Sequence, residues 1–250
     1  MVRGLGVLKS YLGEYLTHYV IIGGTACNLI YAKYGIVERS TKDIDMVIVA
    51  EAFDREFYSR FVSFVRDGGY QHRSKDGRYE LYRFDHPSDV AFPAQVELLS
   101  KKPEYLDELR GALGHIETID ASGSLSAIML DDDYYALLDD GVEVIDGLPV
   151  LSLKYLPVFK MHAWANLMDE RTRGKRVDSR EIGKHRKDVL RLCSLFAPSE
   201  RVELTEAVRQ DVQRFVDECS WTDEMLRGLG LRISSEGMRD VIRSVYLDGA

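Results

Sequence analysis

The sequence predicts an α+β fold followed by a helical C-terminal part, and a change in residue spacing indicates it. Up to about residue 150, short β-branched or aromatic runs alternate with stretches of helical spacing. Beyond that point almost every stretch has helical spacing. A chain of 250 residues can bury a substantial core as one compact domain or as two small ones. From the change in spacing we expect two, an α/β nucleus of strands and helices over residues 1–150 and a helical domain over 151–250.

Strands are predicted where short apolar runs end at glycine, proline or polar residues. They cover 19–22, 44–49, 95–100, 126–130, 142–145 and 149–151, with a hairpin of 70–74 and 79–84 around Asp76-Gly77. Helices are predicted where apolar residues recur every three or four positions. They cover 25–34, 51–67, 131–138, 152–168, 179–196, 201–219 and two shorter segments within 221–247. The polar stretch 169–180 is expected to be an exposed connection.

The composition is that of an ordinary globular protein, with a formal net charge of -8. Its apolar runs are far shorter than the roughly 20 residues needed to cross a bilayer, so no membrane association is expected. Three cysteines without metal-site spacing favour a reducing compartment, and we expect a cytoplasmic protein. One segment reverses the charge, since residues 171–191 hold nine Lys or Arg against three acids. Such a segment attracts anionic ligands.

Two aspartates at the start of the second predicted strand are the first candidate site residues. Side chains alternate along a strand, so Asp43 and Asp45 share one face and lie about 7 Å apart. Such a pair can bind Mg²⁺, which prefers carboxylate oxygens and keeps positions for substrate phosphates. Two solvated residues at a strand start would show the same pattern, so the surrounding residues decide between the two interpretations.

A glycine turn and a third acid favour the metal site. Gly23-Gly24-Thr25 joins a strand to a helix, which directs backbone amides and a hydroxyl towards one point that suits a phosphate. The glycines alone would also fit a plain tight turn. Glu97 lies inside an apolar strand, where an unpaired carboxylate is unfavourable unless it binds a cation. Alternatively, Glu97 faces solvent on a half-exposed strand.

Together these residues resemble the nucleotidyltransferase superfamily, and more narrowly the AbiEii/AbiGii toxin-type nucleotidyltransferases. The resemblance rests on Ile22-Gly23-Gly24-Thr25-Ala26 followed by Arg39-Ser40-Thr41-Lys42-Asp43-Ile44-Asp45-Met46, with later counterparts in Val158-Phe159-Lys160-Met161-His162-Ala163 and Lys187-Asp188-Val189. It spans residues of about 19 to 192, and only the first two segments are specific. The chain departs from the family at Arg191, where an aspartate often stands.

The resemblance implies a nucleotidyltransferase-like mixed sheet with flanking helices and transfer of a nucleotidyl group from a nucleoside triphosphate, with release of pyrophosphate. Asp43, Asp45 and Glu97 would bind two Mg²⁺ ions, and Glu97 would also help deprotonate the acceptor hydroxyl. The implied nucleotide-binding residues share a position in or beside the matched motifs: Gly23, Gly24, Thr25, Arg39, Lys42, Lys160, Lys187 and Asp188.

Several of these assignments keep a second interpretation. Lys160 falls within the apolar stripe of its helix, where it can reach a phosphate or extend its amine to water past an apolar stem. Lys187 and Asp188 fit either nucleotide binding or a surface ion pair. Arg39 and Lys42 precede the acidic strand and would neutralise phosphates or screen the carboxylates.

The leading hypothesis is a toxin of a toxin-antitoxin pair, with tRNA or another cellular acceptor as substrate and an antitoxin protein as partner. The basic stretch 171–191 motivates the RNA acceptor. An antibiotic nucleotidyltransferase acting on aminoglycosides or lincosamides shares the glycine and aspartate layout. The remaining alternatives are a nucleotide-binding module without turnover and a structural α+β protein with incidental acids.

Overall fold

The computed structural model describes residues 2–36, 41–49, 52, 54–71, 83–100 and 132–248. The chain divides into two compact units, Met1–Ser152 and Leu153–Ala250. We call them the sheet unit and the helical unit.

The sheet unit contains short strands and helices in alternation. Its described strands are β1 (Tyr19–Ile22), β2 (Asp43–Ile48), β3 (Arg83–Asp85), β4 (Gln95–Ser100), β5 (Val142–Ile145) and β6 (Leu148–Leu151). Its described helices are α1 (Leu5–Leu12), α2 (Gly23–Lys33), α3 (Arg55–Gly68) and α4 (Asp132–Gly141). All six strands belong to one sheet with the order β3-β4-β2-β1-β6-β5.

This sheet is mixed. β2 lies at its centre, antiparallel to β1 and parallel to β4, while β1 is also parallel to β6. β5 and β6 form a hairpin whose two-residue turn is Asp146-Gly147, and both turn residues have positive φ (51° and 72°). That conformation matches the twist of the two strands and favours an Asp-Gly pair. β1 is buried along its whole length, as expected for a strand in the middle of a sheet.

α3 contributes an aromatic face to the core of the sheet unit. Phe57, Phe61 and Phe64 recur at helical spacing and are almost fully buried. The Phe64 ring lies 5.6 Å from that of Tyr11 and 5.3 Å from that of Phe92. Asp54 begins the helix by accepting hydrogen bonds from the amides of residues 56 and 57, and a left-handed Gly69 ends it.

The helical unit consists of α5 (Leu156–Thr172), α6 (Ser179–Cys193), α7 (Glu206–Glu218), α8 (Asp223–Gly228) and α9 (Ser235–Tyr246) in the described residues. Trp164 of α5 packs edge-on against Phe215 of α7, with ring centroids 5.2 Å apart. Phe215 also stacks on Trp221, and Arg239 lies over the Trp221 ring at 4.1 Å. None of the described helices has both the length and the apolar composition to cross a membrane.

The predicted fold class is confirmed: a mixed sheet with flanking helices precedes a helical C-terminal part. Several predicted boundaries are wrong. α2 begins at Gly23 rather than at residue 25, and α3 begins at residue 55 rather than 51, because Asp54 is its cap. α5 continues to Thr172, so the exposed connection is shorter than 169–180. α1 was not predicted, although Leu5, Leu8 and Leu12 form a buried helical stripe.

Some predicted features lie outside the described residues. They are the strand over 126–130, residues 72–82 of the hairpin around Asp76-Gly77, and Arg39. Gln71, in the first predicted hairpin segment, forms an isolated antiparallel bridge with Asp85, one residue beyond the second segment.

Candidate active site

The junction of β1 and α2 packs tightly against β2. Gly23 has a positive φ of 67°, and a Cβ atom at this position would lie 1.8 Å from Asp45 Oδ2. Both facts require glycine. Ile22 occupies the N-cap position of α2 with an extended backbone, and its apolar side chain offers no capping oxygen. The first amides of α2 therefore need another acceptor, as at helix ends that bind anions.

Asp43 and Asp45 both lie on β2 and are partly exposed, whereas Ile44 between them is buried. Regular pairing of β2 with β4 from Asp43 to Ile48 keeps the side chains alternating without a bulge. The two carboxylates therefore share one face of the sheet, in agreement with the spacing argument. Their exposure leaves them accessible to a ligand.

One row of register partners crosses the sheet through Asp45. Ile22 on β1 pairs with Asp45 on β2, Asp45 pairs with Glu97 on β4, and Glu97 pairs with Arg83 on β3. Register partners on neighbouring strands present their side chains on the same face. The row places an aspartate and a glutamate on adjacent strands, with an arginine directly beyond them.

Glu97 is buried, with 7% of its surface exposed, and its Oε1 atom accepts several hydrogen bonds. Arg83 donates from Nε at 2.7 Å and places Nη2 at the same distance, and Gln95 donates from Nε2 at 2.8 Å. The alternative that Glu97 simply faces solvent is therefore wrong. Burying a charged carboxylate is unfavourable unless it is paired. The contact with the Arg83 guanidinium offsets this unfavourable energy.

The carboxylates supply the oxygen donors that Mg²⁺ prefers, and their shared face fits such an ion. Within the described ranges, however, no three His, Cys, Asp or Glu side chains lie close enough together to hold a metal. Glu97 is drawn to Arg83, on the far side of β4 from β2. The assignment of Asp43, Asp45 and Glu97 as a joint metal site accordingly stays a prediction.

Thr25 is fully buried in α2, and its hydroxyl donates to the backbone carbonyl of Asp43 at 2.7 Å. The bond ties the start of α2 to the start of β2, so Thr25 positions the aspartate strand. Gly24 is half-buried, and a Cβ atom there would lie 3.2 Å from Thr41 Oγ1. Lys42 is exposed one residue before Asp43. Their assignment to nucleotide binding stays a prediction.

The helical unit holds the remaining predicted residues. Lys160 on α5 is buried, and its Nζ lies 3.0 Å from Asp188 Oδ2 on α6. The lysine therefore does not extend to water, and that interpretation is wrong. Asp188 pairs with Lys160, whereas Lys187 is exposed. The pair joins two helices inside the unit, and a role of these residues in nucleotide binding stays a prediction.

Sequence reasoning missed two residues that contact Glu97, namely Arg83 and Gln95. Gln95 lies two residues before Glu97, a spacing that places both on one face of a strand and gives a usable signal. Arg83 gave no such signal, because its pairing with Glu97 depends on how two strands align in the sheet.

Comparisons with known proteins give little information about the family or function of this chain. No protein-family model matches the chain, and no curated protein matches it. Among solved structures, the solution structure of the antibiotic-resistance factor ANT(2'')-Ia aligns with a TM-score of 0.34 and 15% identity, over 75% of this chain and 86% of that one. An alignment at this level carries no functional argument, so the case for the site rests on its own residues.

Proposed function

We propose that the chain is a nucleotidyltransferase that moves a nucleotidyl group from a nucleoside triphosphate to an acceptor hydroxyl and releases pyrophosphate. One observation carries the proposal: the Gly23 turn and the N-terminus of α2 stand directly against Asp45, while Thr25 fixes the start of the same strand. A backbone segment that would bind phosphate therefore lies beside a carboxylate pair within the sheet unit. This combination suits a charged triphosphate with a bound cation.

Each part of the site has a task in this reaction. The first amides of α2 and the backbone at Gly24 would bind the terminal phosphates. Asp43 and Asp45 would hold Mg²⁺, with two ions expected during turnover. When bound, Mg²⁺ neutralises charge on the triphosphate and on the oxygens that attack and leave. Glu97 would accept the proton of the acceptor hydroxyl at its carboxylate.

The nature of the acceptor is a finer part of the proposal. We propose a cellular acceptor such as tRNA, a cytoplasmic location, and a toxin whose activity an antitoxin protein controls. The support is the motif resemblance and the exposed cations around the connection after α5, such as Arg173, Lys175 and Arg176. All three cysteines are free thiols, which also fits a reducing compartment.

A transfer assay tests the proposal. Purified protein is incubated with Mg²⁺ and each α-labelled nucleoside triphosphate, in turn with tRNA, total protein and an aminoglycoside, and both label transfer and pyrophosphate are measured. We expect transfer that Asp45→Asn lowers by at least 100-fold, an effect on the order of losing a metal ligand. Glu143→Gln is the matched control, because Glu143 lies on β5 of the same sheet and pairs with Lys33.

The outcomes separate the alternatives. Label on the aminoglycoside alone would support a drug-modifying enzyme. Tight triphosphate binding without pyrophosphate would indicate a binding module. If no acceptor is labelled and Asp45→Asn matches the wild type in every assay, the proposed function is wrong.

A further inference from the structure

The carboxylate of Glu97 is held by donors from the neighbouring strand β3 and from its own strand β4. Arg83 contributes two nitrogens at 2.7 Å from Oε1, and β3 lies on the opposite side of β4 from β2. Gln95 adds a third donor to the same oxygen at 2.8 Å. Three donors on one oxygen fix the orientation of the carboxylate. Glu97 is thus oriented by a cation that belongs to the protein itself.

Electrostatics explain why a cation belongs at this position. Glu97 is the register partner of Asp45, so two acids occupy one face of neighbouring strands. Like charges at this spacing repel, and burial of Glu97 adds to the unfavourable energy of its charged form. The Arg83 guanidinium, whose side chain is 40% exposed, offsets both effects.

We propose that Arg83 is a positioning residue that holds Glu97 in the metal-free protein and competes with a divalent cation for it. The inference rests on the proposed function, since it concerns the same site. Arg83 and Gln95 both contact Oε1, so a cation that binds this oxygen has to weaken the bonds from Arg83. By linkage, an interaction that stabilises the contact between Glu97 and Arg83 lowers the affinity of the site for the cation by the same factor.

Mn²⁺ binding without nucleotide tests this inference. Its dissociation constant is measured calorimetrically for the wild type, Arg83→Gln, Glu97→Gln and the double variant. We expect Arg83→Gln to bind Mn²⁺ about tenfold more tightly, because a competing charge a few ångström away is removed. In the Glu97→Gln background the same substitution changes the dissociation constant less than about twofold, because the competition acts through Glu97.

Further variants keep the test decisive. Lys33→Gln removes another cation of the same unit, paired with Glu143, and is expected to leave Mn²⁺ affinity unchanged. Should Arg83→Gln fail to fold with Glu97 unpaired, Arg83→Lys retains the charge without the two-nitrogen contact and is expected to tighten binding to a smaller degree. Melting temperatures establish that each variant is folded.

Two results overturn the inference. One is unchanged or weaker Mn²⁺ binding by Arg83→Gln, or by folded Arg83→Lys where the first variant does not fold. The other is equal tightening with and without Glu97, which would reflect charge alone. A failure of the proposed function gives a different result. In that case the Asp45→Asn variant, measured in the same way, binds Mn²⁺ as tightly as the wild type.

Discussion

Gly23 and Asp45 approach each other so closely that a methyl group on the glycine would lie 1.8 Å from the Oδ2 atom of the aspartate. The glycine also has a positive φ of 67°. The carboxylate therefore lies against the first residue of α2, which brings the positive end of the helix dipole and the acid together. This contact connects the glycine motif to the aspartate motif.

Gly23→Ala is expected to destabilise the protein through both strain and collision. The left-handed backbone alone costs roughly 1–2 kcal/mol for a residue with a Cβ. Gly35→Ala is the matched control, since Gly35 has φ 71° and open space where the Cβ would lie. Urea unfolding is expected to show a larger loss for Gly23→Ala than for Gly35→Ala. Equal losses would contradict the close contact with Asp45.

Thr25→Val is expected to lower the free energy of unfolding by about 1–2 kcal/mol, because a buried hydrogen bond to the Asp43 carbonyl is lost. The change keeps the side-chain shape, so packing contributes little. Thr25→Ser keeps the hydroxyl and serves as the control, and its free energy of unfolding is expected to fall less. Chemical denaturation monitored by circular dichroism measures both. A Val variant as stable as the Ser variant would show that the bond does not position β2.

Lys160→Met is expected to destabilise the helical unit by about 3 kcal/mol, because Asp188 then stays largely buried and loses its contact with the Lys160 ammonium. The double variant Lys160→Met/Asp188→Leu removes both charges and is expected to recover part of that loss. Guanidinium unfolding measures all three proteins, with exposed Lys187→Met as the control, expected to change stability by less than about 0.5 kcal/mol. A double variant that is no more stable than Lys160→Met would contradict a coupled pair.

His185 on α6 gives the helical unit a dependence on pH. Burial, with smaller contributions from the charges of Lys160 and Lys184, holds the pKa of this imidazole well below its ordinary value. The folded protein thus takes up the proton less readily than the unfolded chain. Above the unfolded pKa of about 6.5, this difference does not reduce the free energy of unfolding. As the pH falls below that value, the free energy of unfolding decreases, because the unfolded chain takes up the proton first. Between pH 7 and pH 5, the free energy of unfolding is expected to fall less steeply for His185→Gln than for the wild type. The same decrease with pH in both proteins would contradict this account.

Strands of the sheet were predictable where an apolar run had clear ends. β1, β4 and β5 match their predicted ranges, because glycine, proline or polar residues bound each run. The shared face of Asp43 and Asp45 followed from alternation alone. These features depend on local sequence, so one chain is enough to predict them.

Features that depend on distant contacts were not predictable. The register that pairs Asp45 with Glu97, and Glu97 with Arg83, is set by the order of strands in the sheet. The bond between Thr25 and Asp43 likewise joins residues from two motifs whose spatial approach the sequence does not encode locally. α1 was missed for another reason, because its stripe of leucines is short and Lys9 lies within it.

A crystal structure with Mn²⁺ and a non-hydrolysable nucleoside triphosphate tests the central claim most directly. We expect anomalous density for an ion bound by carboxylate oxygens of Asp43 and Asp45, at about 2.0–2.3 Å. The phosphates are expected against the Gly23-Gly24 turn at the start of α2. An ion or triphosphate bound away from these residues would contradict the assignment of the active site.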